Sequence, residues 1–168
     1  MILKLIGIML LICATGYTGM SMSTSLKERI KRLELIRKML DEIATLIRYR
    51  ALTVTEIINE LVSNSSYGEL TFLHKAKLEI TPEIPFHCAW ENAVKKDGKL
   101  LNEEKSQLIS LGNFLGSSDI EGQISALTIY KDKFNMLIDK ASENYASKGK
   151  LYRSLGVLSG VFVSILLI

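Results

Sequence analysis

The chain has 168 residues, 48% of them hydrophobic, with 21 basic and 18 acidic side chains and a net charge of +3. That length suits one ordinary domain plus anchoring segments, not two independent cores. All the acidic residues, and all the basic ones except Lys4 and Arg153, lie between Thr24 and Lys150, where the net charge is only +1 and the signs are interspersed. Without a basic stripe, nucleic acid is excluded as the expected partner. The two cysteines, Cys13 and Cys88, fall in different environments and define no disulfide framework.

From Leu5 to Met22 there is no charged residue, and these 18 positions are just long enough to span a bilayer. The segment 2–22 therefore reads as an N-terminal transmembrane helix. A competing reading is a cleaved signal peptide, with Lys4 as a thin basic region and Ala14-Thr15-Gly16 as a poor cleavage site. Lipidation at Cys13 is disfavoured because Ile12 stands where a small side chain is needed.

From Ser25 to about Arg50 the residues Leu26, Ile30, Leu33, Ile36, Leu40, Ile43 and Leu46/Ile47 recur at steps of three and four. This spacing predicts an amphipathic helix of about seven turns. Thr53-x-x-Glu56 is a capping box opening a second helix through Leu61 or Val62, ended by the polar cluster 63–66. A short third helix is expected between Gly68 and Glu79, with Thr81-Pro82 and Pro85 marking a break. Pro85 suits the first turn of a fourth helix, which runs through Trp90 to Val94 and closes at Lys96-Asp97-Gly98. A fifth is expected from Asn102 to about Leu115. Ser118-x-x-Glu121 reads as a second capping box, opening a long sixth helix through Ala146. No stretch alternates as a strand would. The whole is expected to be all-α: a compact bundle of about six helices over 24–150, with membrane helices at both ends.

The last uncharged run, Ser154 to Ile168, has 15 residues. As a helix it reaches roughly 22 Å, short of a hydrocarbon core of about 30 Å. It can span if Leu151 and Tyr152 join it while Lys150 and Arg153 snorkel; the alternative is a buried core helix. The segment 151–168 is read as a transmembrane or membrane-inserted helix. Gly156-x-x-x-Gly160 would let another helix approach closely. Lys27, Arg29, Lys31, Arg32, Arg37 and Lys38 follow the first apolar run, and Lys148, Lys150 and Arg153 flank the second. Because such cations stay on the cytoplasmic side, the domain is expected to face the cytoplasm. The cations are read as a solvated face and topology signal, with a polybasic lipid contact as the sharper alternative.

Catalytic and metal chemistry find little support. Two histidines, His74 and His87, and Cys88 fall short of a zinc site. His87 and Cys88 are adjacent, so on a helix their side chains diverge and form no dyad. No glycine-rich phosphate loop is present. Gly112 and Gly116 are four apart, which suits a helix face meeting another backbone closely and a glycine C-cap at Gly116. Asp119 and Gln123 are candidates for partner-facing residues, with first-turn dipole pairing as the plainer role for Asp119. Trp90 reads as core. No catalytic, cofactor-binding or metal-ligating residue is assigned, and no cofactor or small-molecule substrate is expected.

Two stretches, Leu108 to Gln123 and Lys150-Leu-Tyr-Arg-Ser-Leu-Gly-Val-Leu-Ser-Gly160, together with the N-terminal Lys4-Leu-Ile-Gly7, resemble the stage III sporulation protein AB family of spore-forming bacteria. The resemblance covers essentially the whole chain. It implies a cytoplasmic helical bundle similar to the F-type platform domain of type II secretion and type IV pilus machines. It further implies a non-enzymatic component of the mother-cell membrane around the forespore. The expected partners are other stage III sporulation proteins of the same complex, including the ATPase protein AA. A small membrane-perturbing, holin-like protein is the alternative from another class.

Overall fold

The computed structural model describes residues 2–167; side chains are described from Tyr17 to Lys148, apart from Thr18 and Gly19, and beyond that at Leu151, Ser154 and Leu158. Six α-helices follow one another: α1 Ile2–Arg50, α2 Val54–Ser63, α3 Thr71–Glu79, α4 Phe86–Lys95, α5 Asn102–Phe114 and α6 Ile120–Leu167, with a single 3-10 turn at Ser65–Tyr67. Among the described residues there is no strand, only an isolated bridge between Thr81 and Ile84 in the break before α4.

The expected terminal helices are not separate elements. They are the outer parts of α1 and α6, and the reason is local: no proline stands near either junction, and the hydroxyl-bearing residues there bond back into the helix. Thr24 Oγ1 donates to the Met20 carbonyl and Ser25 Oγ to the Ser21 carbonyl, each at 3.0 Å, while Ser147 Oγ donates to the Glu143 carbonyl at 2.9 Å. Hydroxyls satisfied in this way do not compete for the backbone as they would at a cap. Among the described residues no helix is long and apolar enough to cross a membrane. The expected spans 2–22 and 151–168 lie largely outside the described side chains, as does the packing expected at Gly156 and Gly160.

The chain forms two compact units: residues 1–31 with 138–168, and residues 32–137. In the second unit, α1 buries Leu33, Ile36, Leu40, Ile43 and Ile47, as its spacing predicts, and α6 buries Leu127, Tyr130, Phe134 and Leu137. Both sets alternate steps of three and four, the seven-residue rhythm that keeps an apolar seam facing a partner. Between α1 and α6, Lys131 Nζ pairs with Asp41 Oδ1 at 2.8 Å. This pair is half exposed, so the apolar seam supplies the adhesion.

The short helices fill the remainder, α3 packing on α2 and α4, and α4 on α5. At their centre lies the fully buried Trp90, whose Nε1 donates to the Leu108 carbonyl at 2.7 Å. Phe72 meets its ring edge-on at 5.4 Å and Phe86 lies at 5.7 Å. Gly112 is the close-approach glycine, but it meets an indole and not a backbone: a Cβ there would stand 2.3 Å from Trp90 Cδ1.

Several boundaries shift by a residue or more from the sequence expectation. The Thr53 capping box forms as read, with Thr53 N–H donating to Glu56 Oε2 at 2.8 Å and Glu56 N–H to Thr53 Oγ1 at 3.4 Å. The Thr53 N–H and the Thr53 hydroxyl, which donates to the same Glu56 oxygen at 2.8 Å, hold the exposed Glu56 carboxyl below its usual pKa. Pro85 is the N-cap of α4, one residue before its first turn. Gly68 and Glu69 belong to the turn before α3. The cap of α6 is Asp119, not Ser118: Asp119 Oδ1 accepts the Gly122 N–H at 3.1 Å. Serine and aspartate cap about equally well, and the carboxylate in addition meets the positive helix end, which favours Asp119.

Gly112→Ala is expected to destabilise the protein by about 1–3 kcal/mol, because the added methyl must push the indole from a packed site. Urea denaturation followed through the sole tryptophan checks this. At the end of α1, Ala51 sits at φ 47°, in the left-handed region that favours glycine. Ala51→Gly is expected to stabilise by about 0.5–1 kcal/mol and to raise Tm in a thermal scan.

Candidate functional site

The described residues contain no group of three or more histidine, cysteine or carboxylate side chains able to hold a metal. His74 and His87 are exposed and Cys88 is half-buried with a free thiol. The concavities are shallow. In the second unit a groove of about 270 Å³ runs between α1 and α6, floored by Ala44, Ile124 and Leu127 and rimmed by Asp41, Arg48 and Lys131. In the first unit a hollow of about 340 Å³ follows one face of α1 past Tyr17, Met20, Ser21, Thr24 and Glu28. Around these two concavities the described residues form an open surface.

Two buried polar links fix that surface. Asp97, only 3% exposed, accepts hydrogen bonds from Thr71 Oγ1 at 2.6 Å and from the Lys99 N–H at 2.7 Å. Burial works to raise its pKa, but these two bonds, with the charges of Lys75 and Arg32, outweigh it and hold the carboxyl below the usual range. Arg32 NH1 donates to the Lys99 carbonyl at 2.7 Å and Lys75 Nζ to the Lys96 carbonyl at 2.9 Å. The α4–α5 turn is thereby tied to both α1 and α3. Further along α1, the buried Tyr67 hydroxyl donates to Glu42, whose second oxygen accepts from Asn64 Nδ2 at 3.5 Å. Burial and then the Glu42 carboxylate push the Tyr67 pKa well above its ordinary value.

The candidate partner-facing residues of the α5–α6 region are occupied within the fold. Gly116 turns the chain at φ 77°, and its N–H donates to Gln123 Oε1 at 3.0 Å. Gln123 Nε2 in turn donates to the Ser118 carbonyl at 2.9 Å, so both ends of that amide clamp the loop. Asp119 caps α6, and Gly112 lodges Trp90. Gly116 also lies close to α2, since a Cβ would stand 2.9 Å from Val54 Cγ2.

Exposed apolar residues flank that loop, at Phe114 and Ile120, and others stand elsewhere. Ile129 is 55% and Met136 71% exposed, seven residues apart on α6, and Tyr49 is 77% exposed beside the α1–α6 groove. Helical periodicity marks such positions as off the core seam but cannot flag them as contacts. The Asp97 link was also unmarked, although an aspartate before glycine whose side chain accepts from the N–H two residues on is a known turn signal.

The fold and its surfaces define an all-helical protein built to hold its two long terminal helices in a bundle, without a furnished cleft among the described residues. The family model for stage III sporulation protein AB matches residues 4–168. The chain belongs to that family of sporulation proteins. It is similar to the stage III sporulation protein AB of Bacillus subtilis (strain 168), at 24% identity over 169 residues that cover 98% of this chain and 99% of the relative. No solved structure matches it.

Asp97→Asn is expected to destabilise the domain by about 1–3 kcal/mol at pH 7, by weakening charge-assisted bonds at a buried site. Because the folded pKa is lowered, the Asp97 contribution is present above the unfolded pKa of about 3.9 and is lost as pH falls below it. Urea titrations of both proteins between pH 7 and pH 3 should show the difference shrinking in the acid range.

Proposed function

We propose that this chain is a non-enzymatic membrane platform in a sporulation-specific, secretion-like complex that links mother cell and forespore. In this reading the segments 2–22 and 151–168 anchor it in the mother-cell membrane around the forespore. The bundle 24–150 faces the mother-cell cytoplasm, in the manner of an F-type secretion platform, and docks other stage III sporulation proteins, including the ATPase protein AA.

The observation that carries the reading is the continuity of α1 and α6. Each helix runs unbroken from an uncharged terminal run into the apolar seam of the bundle. The same two helices then serve as anchor and frame. Family membership supports the sporulation context. The cations flanking both apolar runs support the cytoplasmic orientation. The exposed Tyr49, Ile129 and Met136 suit partner contacts.

An alkaline phosphatase fusion at Lys150 is expected to be inactive and one at Ile168 active; activity at Lys150 would reverse the orientation. Deletion of the gene is expected to arrest sporulation at the stage of engulfment, and affinity purification from sporulating cells to recover the ATPase. Normal spores from the deletion strain would sink the proposed role.

A further inference from the structure

The charge of the chain is divided unevenly between its two units. The first unit, which holds both apolar terminal runs, carries eight basic and three acidic residues, net +5, whereas the second carries thirteen and fifteen, net −2. Most of the excess lies beside the apolar runs. Lys27 and Lys31 follow Met22 by about 8 and 14 Å along the helix, and Lys150 and Lys148 precede Ser154 by about 6 and 9 Å. For Lys27, Lys148 and Lys150 these distances are comparable to the reach of an ionic field at physiological salt, about 8 Å, and Lys31 lies beyond it.

The end of the first apolar run nearest these cations has the character of a bilayer interface. Tyr17 is 76%, Met20 64% and Met22 51% exposed, on one helix next to Lys27. Tyrosine favours the headgroup layer, where its ring is half apolar and its hydroxyl wet. The Thr24 and Ser25 hydroxyls are spent on carbonyls of the preceding turn, so the helix there asks little of water. Leu151, 51% exposed, lies among the cations of α6. Lys27, Lys31 and Lys148 are exposed, and Glu28 is the acidic residue placed among the α1 cations of this unit. Topology selection alone needs a few cations at each apolar run. It does not require that the positive charge be gathered in this unit while the other is net negative.

We propose that this basic collar recruits anionic lipid, so that the protein gathers phosphatidylglycerol-type headgroups around its membrane-flanking helices. The inference rests on the membrane reading above. Clustered cations beside a spanning helix attract anionic headgroups electrostatically, and the attraction weakens with salt.

The test uses the full chain, purified in detergent and reconstituted into nanodiscs of phosphatidylcholine with about 30% phosphatidylglycerol. Lipid retained on re-extraction is then quantified by native mass spectrometry. Enrichment of phosphatidylglycerol by about two-fold or more over the bulk fraction is expected, falling toward bulk at high salt. The variant K27Q/K31Q/K148Q/K150Q should lose the enrichment. The variant R48Q/K77Q/K95Q/K133Q, which removes the same charge from the other unit, should keep it. A bulk lipid ratio around the natural protein, or equal loss in both variants, overturns the proposal. So does tight retention of a polyglutamate peptide without lipid preference, which would assign the collar to an acidic protein. A carbonate wash separates the two readings: release from the bilayer sinks the anchoring role, whereas firm retention without lipid preference sinks only the collar.

Discussion

The indole of Trp90 is the joint on which the short helices depend. Its N–H is anchored on the Leu108 carbonyl, its five-membered ring lies against Gly112, and Phe72 and Phe86 pack against it. One side chain thus touches α3, α4 and α5. A buried indole of this size contributes more apolar contact than any other single residue of a small domain, provided that its N–H finds an acceptor. Here it does, and α4 and α5 are locked in register by a hydrogen bond as well as by packing.

Around that joint the long helices form the frame. Their apolar seams follow a seven-residue rhythm in both α1 and α6; Arg32 and Glu42 fasten the short helices to α1 at two points, and Asp97 fastens the α4–α5 turn to α3. The apolar seam is non-directional and would tolerate sliding. The hydrogen-bonded carboxylates are directional and would not. Adhesion and alignment are therefore divided between different residues, which suits a protein whose proposed work is to hold a surface steady at a membrane.

Much of this was legible in the chain itself. The buried positions of α1 from Leu33 to Ile47 follow from spacing, the Thr53–Glu56 box formed as read, and Gly116 stands in the left-handed turn that its place after α5 suggests. The candidate surface was less legible. Asp119 and Gln123 look available in a linear reading, yet one caps α6 and the other clamps the loop with both ends of its amide. A short polar side chain near a helix start has backbone partners within reach, and those partners are invisible until the turn is built.

By itself the sequence determined the helical class, the helix order and the gathering of uncharged residues at both ends, because periodicity, caps and breakers act within a few residues of one another. It also carried the family resemblance that the family model bears out. Only the tertiary structure decided that the amphipathic helices and the terminal runs are continuous, that Gly112 receives an indole, and that Asp97 and Arg32 tie the α4–α5 turn to α3 and α1 respectively. Each of these joins residues from different segments, or depends on a breaker being absent and side-chain hydroxyls being turned inward. Contacts between distant segments are set by packing, and packing leaves no mark on local spacing.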